Sequence, residues 1–446
     1  MASIKEVFNT KLTENGDLAY TTTGNNLLDI LFLTEYFTKH LDQVSIGDSE
    51  KEKLFAMFIR DPRFGIGRRN LGRKLLKDTK AAFNAIAKCG RYDDIWEMFL
   101  DDKEMFGEAI AFLRHEIESG NELAKKWMPR FGSKNKAIAS RIAKAWNMNK
   151  QQYGKFVKSA TTEQKLTLHN EDDIKFEQVP SLAAIKYANA FSKKETTKER
   201  YAKYLEDVKA GKKELKVTTT TPYDIFKNAN KIDADLFFDK LEKIQINALA
   251  VVDTSGSMWN SNDSSSKAMA IGHYIAKCST FMPNYVISFS SRPQLIELGV
   301  TKPRREYGYY ENNMPNTNTK YGREIASMYT GDCRSTNLGL VMKMLQEDDK
   351  EEMPEYLVVL SDMEFDEGSS QSREEIENLW KVNGYTTKIV WWNFNSRNIT
   401  VPEQDGNGNI YMSGYNATLL KFLESGFDGN KFLNKLLEEY KKFIKD

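Results

Sequence analysis

Four short apolar runs, spaced by helix-like segments, constrain the second half of this chain more than any other feature. They are "INALAVV" (246–252), "NYVISFSS" (284–291), "EYLVVLS" (355–361) and "TKIVWWN" (387–393). Each is β-rich and nearly free of the polar alternation that a half-exposed strand would show. Between them lie "SSSKAMAIGHYIAKCSTFM", "NLGLVMKMLQE" and "SREEIENLWKV", which carry helical spacing. Buried strands alternating with helices predict a doubly wound α/β domain with a largely parallel sheet. In such a domain ligands are expected at the carboxyl ends of the strands.

The first half reads differently. Apolar residues recur at three and four spacing in "NNLLDILFLTEYFTKHL", "SEKEKLFAMFIR" and "AAFNAIAKCGRYDDIWEMFL", which is the signature of packed amphipathic helices. No fixed period links them, so the expectation is an irregular, HEAT-like helical repeat. Gly, Lys and a Thr run in "VKAGKKELKVTTTTPYDIF" interrupt that pattern. The predicted organisation is therefore a helical region over 1–207, a linker with a connecting helix over 208–240, and the α/β domain over 241–446. The Tyr- and Asn-rich stretch at about 304–332 is expected to be a long surface insertion.

Composition excludes several classes. Hydrophobic residues make up 40% of the 446 residues, too many for a disordered chain, and no apolar stretch reaches the roughly 18 residues of a membrane span. The first residues lack the apolar core of a secretory signal. Cys89, Cys278 and Cys333 are odd in number and widely spaced, which supplies neither a disulfide framework nor a zinc spacing. An intracellular, cytoplasmic setting is expected. The net charge of +1 conceals an asymmetry: Arg60–Lys80 carries +6, Asn121–Lys158 carries +9, and the remainder is left with −14.

At the carboxyl end of the first predicted strand, "DTSGSM" places Asp253, Ser255 and Ser257 in a tight loop. Side chains at positions one, three and five of such a loop can converge, and hard oxygens suit a hard cation such as Mg²⁺. By itself the pattern fits equally well a strand-to-helix turn with serine caps. Two further features favour the metal. "GDCRSTNLGL" sets Thr336 in a polar loop before a helix, and "EYLVVLSDMEFD" sets Asp362 at another strand end. Both loops are expected on the edge that carries Asp253. Glu364 and Asp366, close by, read as a solvated acidic loop.

These residues resemble the von Willebrand factor A domain and its metal-ion-dependent adhesion site. The resemblance implies a metal set of Asp253, Ser255, Ser257, Thr336 and Asp362, holding Mg²⁺ (or Mn²⁺ or Ca²⁺). Beyond the site, "FIRDPRFGIGRRNLGRKLL", "AKKWMPRFGSKNKAIASRIAKAW", "FEQVPSLAAIKYANAF", "RSTNLGLVMKML", "LVVLSDMEFDE", "KIVWWNFN" and "YMSGYNATLLKFL" look like an uncharacterised family of plants, fungi and viruses, including phages, which couples a helical region to an A domain. More distantly the plan is similar to the Ro autoantigen, whose helical ring binds small structured RNAs.

The basic blocks are the second candidate site. Arg68, Arg69 and Arg73 lie in and after the glycine-rich "GIGRRNLG", whose spacing fits neither a dinucleotide fingerprint nor a P-loop. Lys125, Lys126, Arg130, Lys134, Lys136, Arg141 and Lys144, with Lys150, Lys155 and Lys158 beyond them, interleave with Trp127, Phe131, Trp146 and Tyr153. Such a pattern can track phosphates while rings stack on bases of structured or single-stranded RNA. Aromatics at helical spacing in the core, and lysines on a merely solvated face, are the competing account. No hydrolase signature appears: Ser255 lacks the GxSxG context, and His40, His115, His169 and His273 suggest no base. The expectation is a non-enzymatic, metal-dependent binding protein that takes RNA, grips an acidic protein partner, or serves in a viral particle. A metal-dependent phosphoesterase is the remaining alternative.

Overall fold

The α/β unit is organised around one seven-stranded sheet. The computed structural model describes residues 10–12, 18–20, 25–62, 65–159, 174–217, 220–259, 263–290, 292–300, 314–329, 338–346, 353–363, 373–394, 403–404, 408–415, 422 and 429–445. A small antiparallel pair, β1 (Thr10–Leu12) and β2 (Leu18–Tyr20), precedes the main sheet. That sheet comprises β3 (Ala248–Asp253), β4 (Tyr285–Phe289), β5 (Gln294–Glu297), β6 (Tyr356–Ser361), β7 (Lys388–Asn393), β8 (Glu403–Gln404) and β9 (Ile410–Ser413). Their spatial order is β5-β4-β3-β6-β7-β9-β8.

The four apolar runs form β3, β4, β6 and β7, paired in parallel. Every residue of β3 and β6 is buried, because both faces of the sheet are covered. One face meets the helix Ser264–Cys278, whose Gly272 sits so close that an added Cβ would lie 2.5 Å from Val252 Cγ2. On the other face Leu249, Val251, Phe289, Leu357, Val359 and Trp391 pack with Val341, Leu345 and Trp380 of the helices Leu338–Gln346 and Arg373–Val382. The result is a doubly wound α/β architecture, as the alternation predicts. After β3 the chain moves to β4 on one side, then returns to β6 on the other. That reversal makes the carboxyl ends of β3 and β6 a topological switch point, the place where open α/β sheets bind ligands.

The chain divides into two compact units: Met1–Leu33 with Thr220–Phe432, and Thr34–Thr219 with Leu433–Asp446. The division departs from the expected organisation in three places. The first residues join the α/β unit, where Phe32 meets Phe422 and Phe432 at ring distances of 5.2 and 6.3 Å. Residues 220–240, expected to link domains, supply two helices of that same unit, Pro222–Asn228 and Ala234–Asp239, whose Ile225, Phe226, Phe237 and Phe238 are buried. The last residues join the helical unit, where the Tyr440 hydroxyl donates to Asp61 Oδ2 at 3.1 Å.

The stretch expected as a surface insertion needs correction in its second half. Lys320–Ser327 is a helix, begun by Thr319 accepting from the Gly322 N–H at 3.0 Å. Tyr321, Glu324 and Ile325 are buried on its inner side. Glu324 accepts from His273 Nε2 and Lys277 Nζ, each at 2.7 Å. These bonds outweigh burial and hold its carboxyl down at about 2. Polar composition concealed this helix, because its fixing residues are themselves polar.

The helical unit contains helices from Thr34–Lys39 to Glu195–Lys209. Its glycine-rich "GIGRRNLG" joins the helices Glu50–Arg60 and Arg69–Asp78. A Cβ on Gly65 would lie 1.9 Å from the Phe58 carbonyl oxygen, and Gly67 has φ +77°, so the loop is glycine-rich for close packing and turning.

Gly272→Ala tests the seating of the helix on β3. The added methyl is expected to destabilise the protein by about 1–3 kcal/mol, read as a lowered urea midpoint with an unchanged slope.

Candidate metal centre and candidate nucleic-acid surface

Asp253 ends β3 with its side chain fully buried. Both carboxylate oxygens are held: the Ser255 N–H donates to Oδ1 at 2.9 Å, and the Ser361 hydroxyl, at the end of β6, donates to Oδ2 at 2.6 Å. The loop that follows is anchored to β4, since the Thr254 N–H donates to the Phe289 carbonyl at 2.9 Å. It then enters the helix Ser264–Cys278, where the Ser265 N–H reaches the Met258 carbonyl at 2.9 Å. Within the loop, Ser255 Oγ and Ser257 Oγ stand 3.1 Å apart. The positions one, three and five of the motif are thus brought together, as a tight Gly256 turn allows.

Asp362 follows β6 directly and is 1% exposed. The chain turns at Met363, which has φ +62° and donates its N–H to Ser361 Oγ at 3.0 Å. Burial pushes the Asp253 carboxyl up to about 7; the bonds from Ser361 and Ser255 oppose this, and the nearby Asp362 charge adds to it. Two buried carboxylates and three hydroxyl oxygens therefore share one strand edge. Thr336 lies outside the described residues, as do Glu364 and Asp366. Sequence reasoning missed Ser361: it follows Leu360, the register partner of Val252, and so comes beside Asp253, a pairing that only the structure reveals.

This donor set fits a hard divalent cation. Carboxylates buried side by side repel, and a cation relieves that repulsion while accepting hydroxyl oxygens as neutral ligands. Among the described residues no three His, Cys, Asp or Glu side chains converge. The edge is rich in hydroxyls instead, which suits Mg²⁺, Mn²⁺ or Ca²⁺ better than a softer metal.

The basic residues separate into two groups. Arg69 and Arg73 are drawn into an ion network: Arg69 Nη2 reaches Asp93 at 2.6 Å and Glu97 at 3.0 Å, and Arg73 reaches Asp94 at 2.5 Å and Glu97 at 2.6 Å. At the centre, Asp94 and Arg60 form a fully buried pair at 2.5 Å. Its cationic partners hold the Asp94 carboxyl below the usual range despite burial. Arg68 precedes the helix Arg69–Asp78 and is half-buried, which lowers its pKa. Arg130 ties the chain together by donating to the Val157 and Lys125 carbonyls. Lys125 pairs with Glu122 at 2.8 Å, and Lys126 lies over the Trp127 ring. The loop expected to present Arg68, Arg69 and Arg73 instead directs two of them to carboxylates.

The second group faces solvent. Lys134, Lys136, Arg141 and Lys144 are exposed, as are Lys150, Lys155 and Lys158. The aromatics among them do not accompany them outward. Trp146 and Tyr153 are core residues at 5% and 1% exposure, and the Tyr153 hydroxyl donates to the Pro129 carbonyl. Phe131 packs its ring against Tyr153. Trp127 is covered by Arg91 at 4.0 Å. The core account holds for Trp146 and Tyr153, while Trp127 and Phe131 are half-buried.

Two family models match parts of the chain. Residues 247–442 match the family described as Domain of unknown function (DUF7788), and residues 72–262 match Domain of unknown function (DUF2828). Uncharacterized protein L728 of Acanthamoeba polyphaga mimivirus is 23% identical over 527 aligned residues, covering 97% of this chain and 88% of that protein. Among solved structures, the Ro (RSR) protein of Deinococcus radiodurans is similar over 93% of this chain and 91% of that chain, at 10% identity and a TM-score of 0.43. The chain is thus similar to proteins of an uncharacterised family with viral members, as its quoted motifs indicate.

Two outcomes follow from the geometry. In the presence of a chelator, the native state keeps a proton on Asp253 that the unfolded chain loses above about 4. Stability is therefore expected to fall as pH rises from about 4 to about 7. Asp253→Asn should remove that part of the fall, on the order of 2–4 kcal/mol, in urea melts at both ends of the window. In the helical unit, Asp94→Ala leaves Arg60 buried without its carboxylate, and a stability loss of about 3–5 kcal/mol, read from urea unfolding, is expected.

Proposed function

We propose that the chain is a non-enzymatic binding protein whose sheet edge holds a divalent cation and uses it to grip a partner's carboxylate. The observation that supports this most directly is the pair of buried carboxylates at the switch point, Asp253 and Asp362, with Ser255 and Ser257 hydroxyls drawn together beside them. In the proposed complex Asp253, Ser255, Ser257 and Thr336 hold the cation, with Asp362 beside them or among the ligands. A cation held there would supply Lewis acidity to a carboxylate oxygen of the partner. Ser361 holds Asp253 in place from the neighbouring strand, so the site is oriented before the partner arrives. No helix among the described residues is long and apolar enough to cross a membrane.

A second reading, nucleic-acid binding by the helical unit, is favoured by the exposed lysines. Among the described residues, Lys134, Lys136, Lys144, Lys155 and Lys158 form no ion pair, and the only acidic residue from Asn121 to Lys158 is Glu122. RNA is the proposed polyanion. The two readings are compatible, since each uses a different unit.

Titration calorimetry with Mg²⁺ and Mn²⁺ tests the metal site. Binding to the native protein is expected, with loss of at least tenfold in affinity for Asp253→Ala. Unchanged binding by that variant, in a protein still folded by circular dichroism, would sink the assignment. Turnover of a phosphate ester that requires the metal and Asp253 would replace the adhesive reading with a hydrolytic one.

A further inference from the structure

Which part of a nucleic acid the helical unit could recognise is decided by what its basic face lacks. The helix Lys136–Ala145 buries Ala139, Ile142 and Ala143. It exposes Lys136, Ser140 and Lys144 at four-residue spacing, with Arg141 alongside. Lys136 and Lys144 are therefore about 12 Å apart along one ridge. The helix Lys150–Phe156 repeats the arrangement. It buries Tyr153 and exposes Lys150, Gly154 and Lys155, with Lys158 continuing the same side just beyond its end. Two successive helices thus turn lysines outward.

The same two helices turn their rings inward. Trp146 packs on Tyr153 and Phe156, with ring centroids 5.9 and 5.7 Å apart. Even Arg141, the one guanidinium on the face, is committed: it lies 3.9 Å from the Phe106 ring and donates to the Leu100 carbonyl at 2.8 Å. What remains for a ligand is a set of ammonium groups, which attract phosphates but cannot stack on bases or read them in a bidentate fork. Single strands are held largely by base stacking, worth about 1–3 kcal/mol per base. A cationic surface with Trp146 and Tyr153 buried beneath it instead favours the ligand with the highest phosphate density, and a duplex carries one charge per about 1.7 Å of axis.

We propose that this face binds double-helical nucleic acid through its phosphate backbone, without base readout, in preference to unpaired strands. The proposal rests on the nucleic-acid reading above and specifies its ligand. RNA and DNA duplexes share the phosphodiester chemistry that the lysines would recognise, so both belong in the test.

The experiment uses the full chain and fluorescence anisotropy with three labelled probes of equal length: an RNA duplex, a DNA duplex and an unpaired pyrimidine strand. Salt is varied between about 50 and 200 mM. Duplexes are expected to bind at least tenfold more tightly than the unpaired strand. The variant Lys136→Gln/Lys144→Gln should weaken duplex binding and reduce the log–log salt slope by about 1.8, two phosphate contacts' worth. Because both lysines are exposed, the variant is expected to keep its circular dichroism spectrum. Preference for one duplex over the other identifies the source of the ligand and leaves the proposal standing. Equal or tighter binding of the unpaired strand overturns the duplex preference but not the nucleic-acid reading. An unchanged slope in the double variant overturns the placement on this face. Absence of binding to all three probes at the lowest salt overturns the nucleic-acid reading itself.

Discussion

Burial of a carboxylate at the end of β3 is the constraint on which the α/β unit turns. A carboxyl group with no exposure is tolerable only if its oxygens find hydrogen-bond partners. The structure meets that demand from two directions, the Ser255 backbone within its own loop and the Ser361 hydroxyl from the neighbouring strand. That second bond joins the two strands at the place where the sheet's connection order reverses. The edge that carries Asp253 and Asp362 is therefore assembled by the parallel pairing of β3 with β6, and a shift in their register would separate the two strand ends. The fold and the candidate site are one problem in this unit.

In the helical unit, charge is handled in the opposite way. Asp94 collects Arg60, Arg73 and the Arg91 backbone N–H, and the glycines around it are shaped to permit the gathering. A Cβ on Gly90 would meet Asp94 Oδ2 at 2.5 Å, and one on Gly72 would meet the Arg60 backbone at 2.6 Å. Planar, forked guanidinium groups suit such shared carboxylates, whereas the compact ammonium of lysine is more strongly hydrated and stays at the surface. Identity of the basic residue, arginine or lysine, thus separates the network that holds this unit together from the charges left available to a ligand.

Much of the fold could be read from the chain. The four central strands announce themselves because burial on both faces demands unbroken apolar runs, and the intervening helices carry clear spacing. The outer strands β5, β8 and β9 escaped notice: they are two to four residues long, too short for periodicity to register. Of the candidate site, Asp253, Ser255 and Asp362 occupy the strand edge that the pattern assigns to them. Ser361 was missed because its role shows only once the register of two strands far apart in sequence is known. The arginines near the glycine-rich loop misled for a related reason. Charge density along the chain does not tell which carboxylates fold back to meet it, and Asp93, Asp94 and Glu97 lie more than a helix away from Arg69.

The main sheet is parallel at its centre, yet its two outermost strands run antiparallel to their neighbours. An open edge is a template on which any extended segment can crystallise into further rows. Here one border is β5, four residues long, and the other is β8, only two. Among the described residues, neither offers enough unpaired backbone to seed an extension. With borders this short, neighbouring copies of the protein can lie side by side without their sheets fusing into fibres.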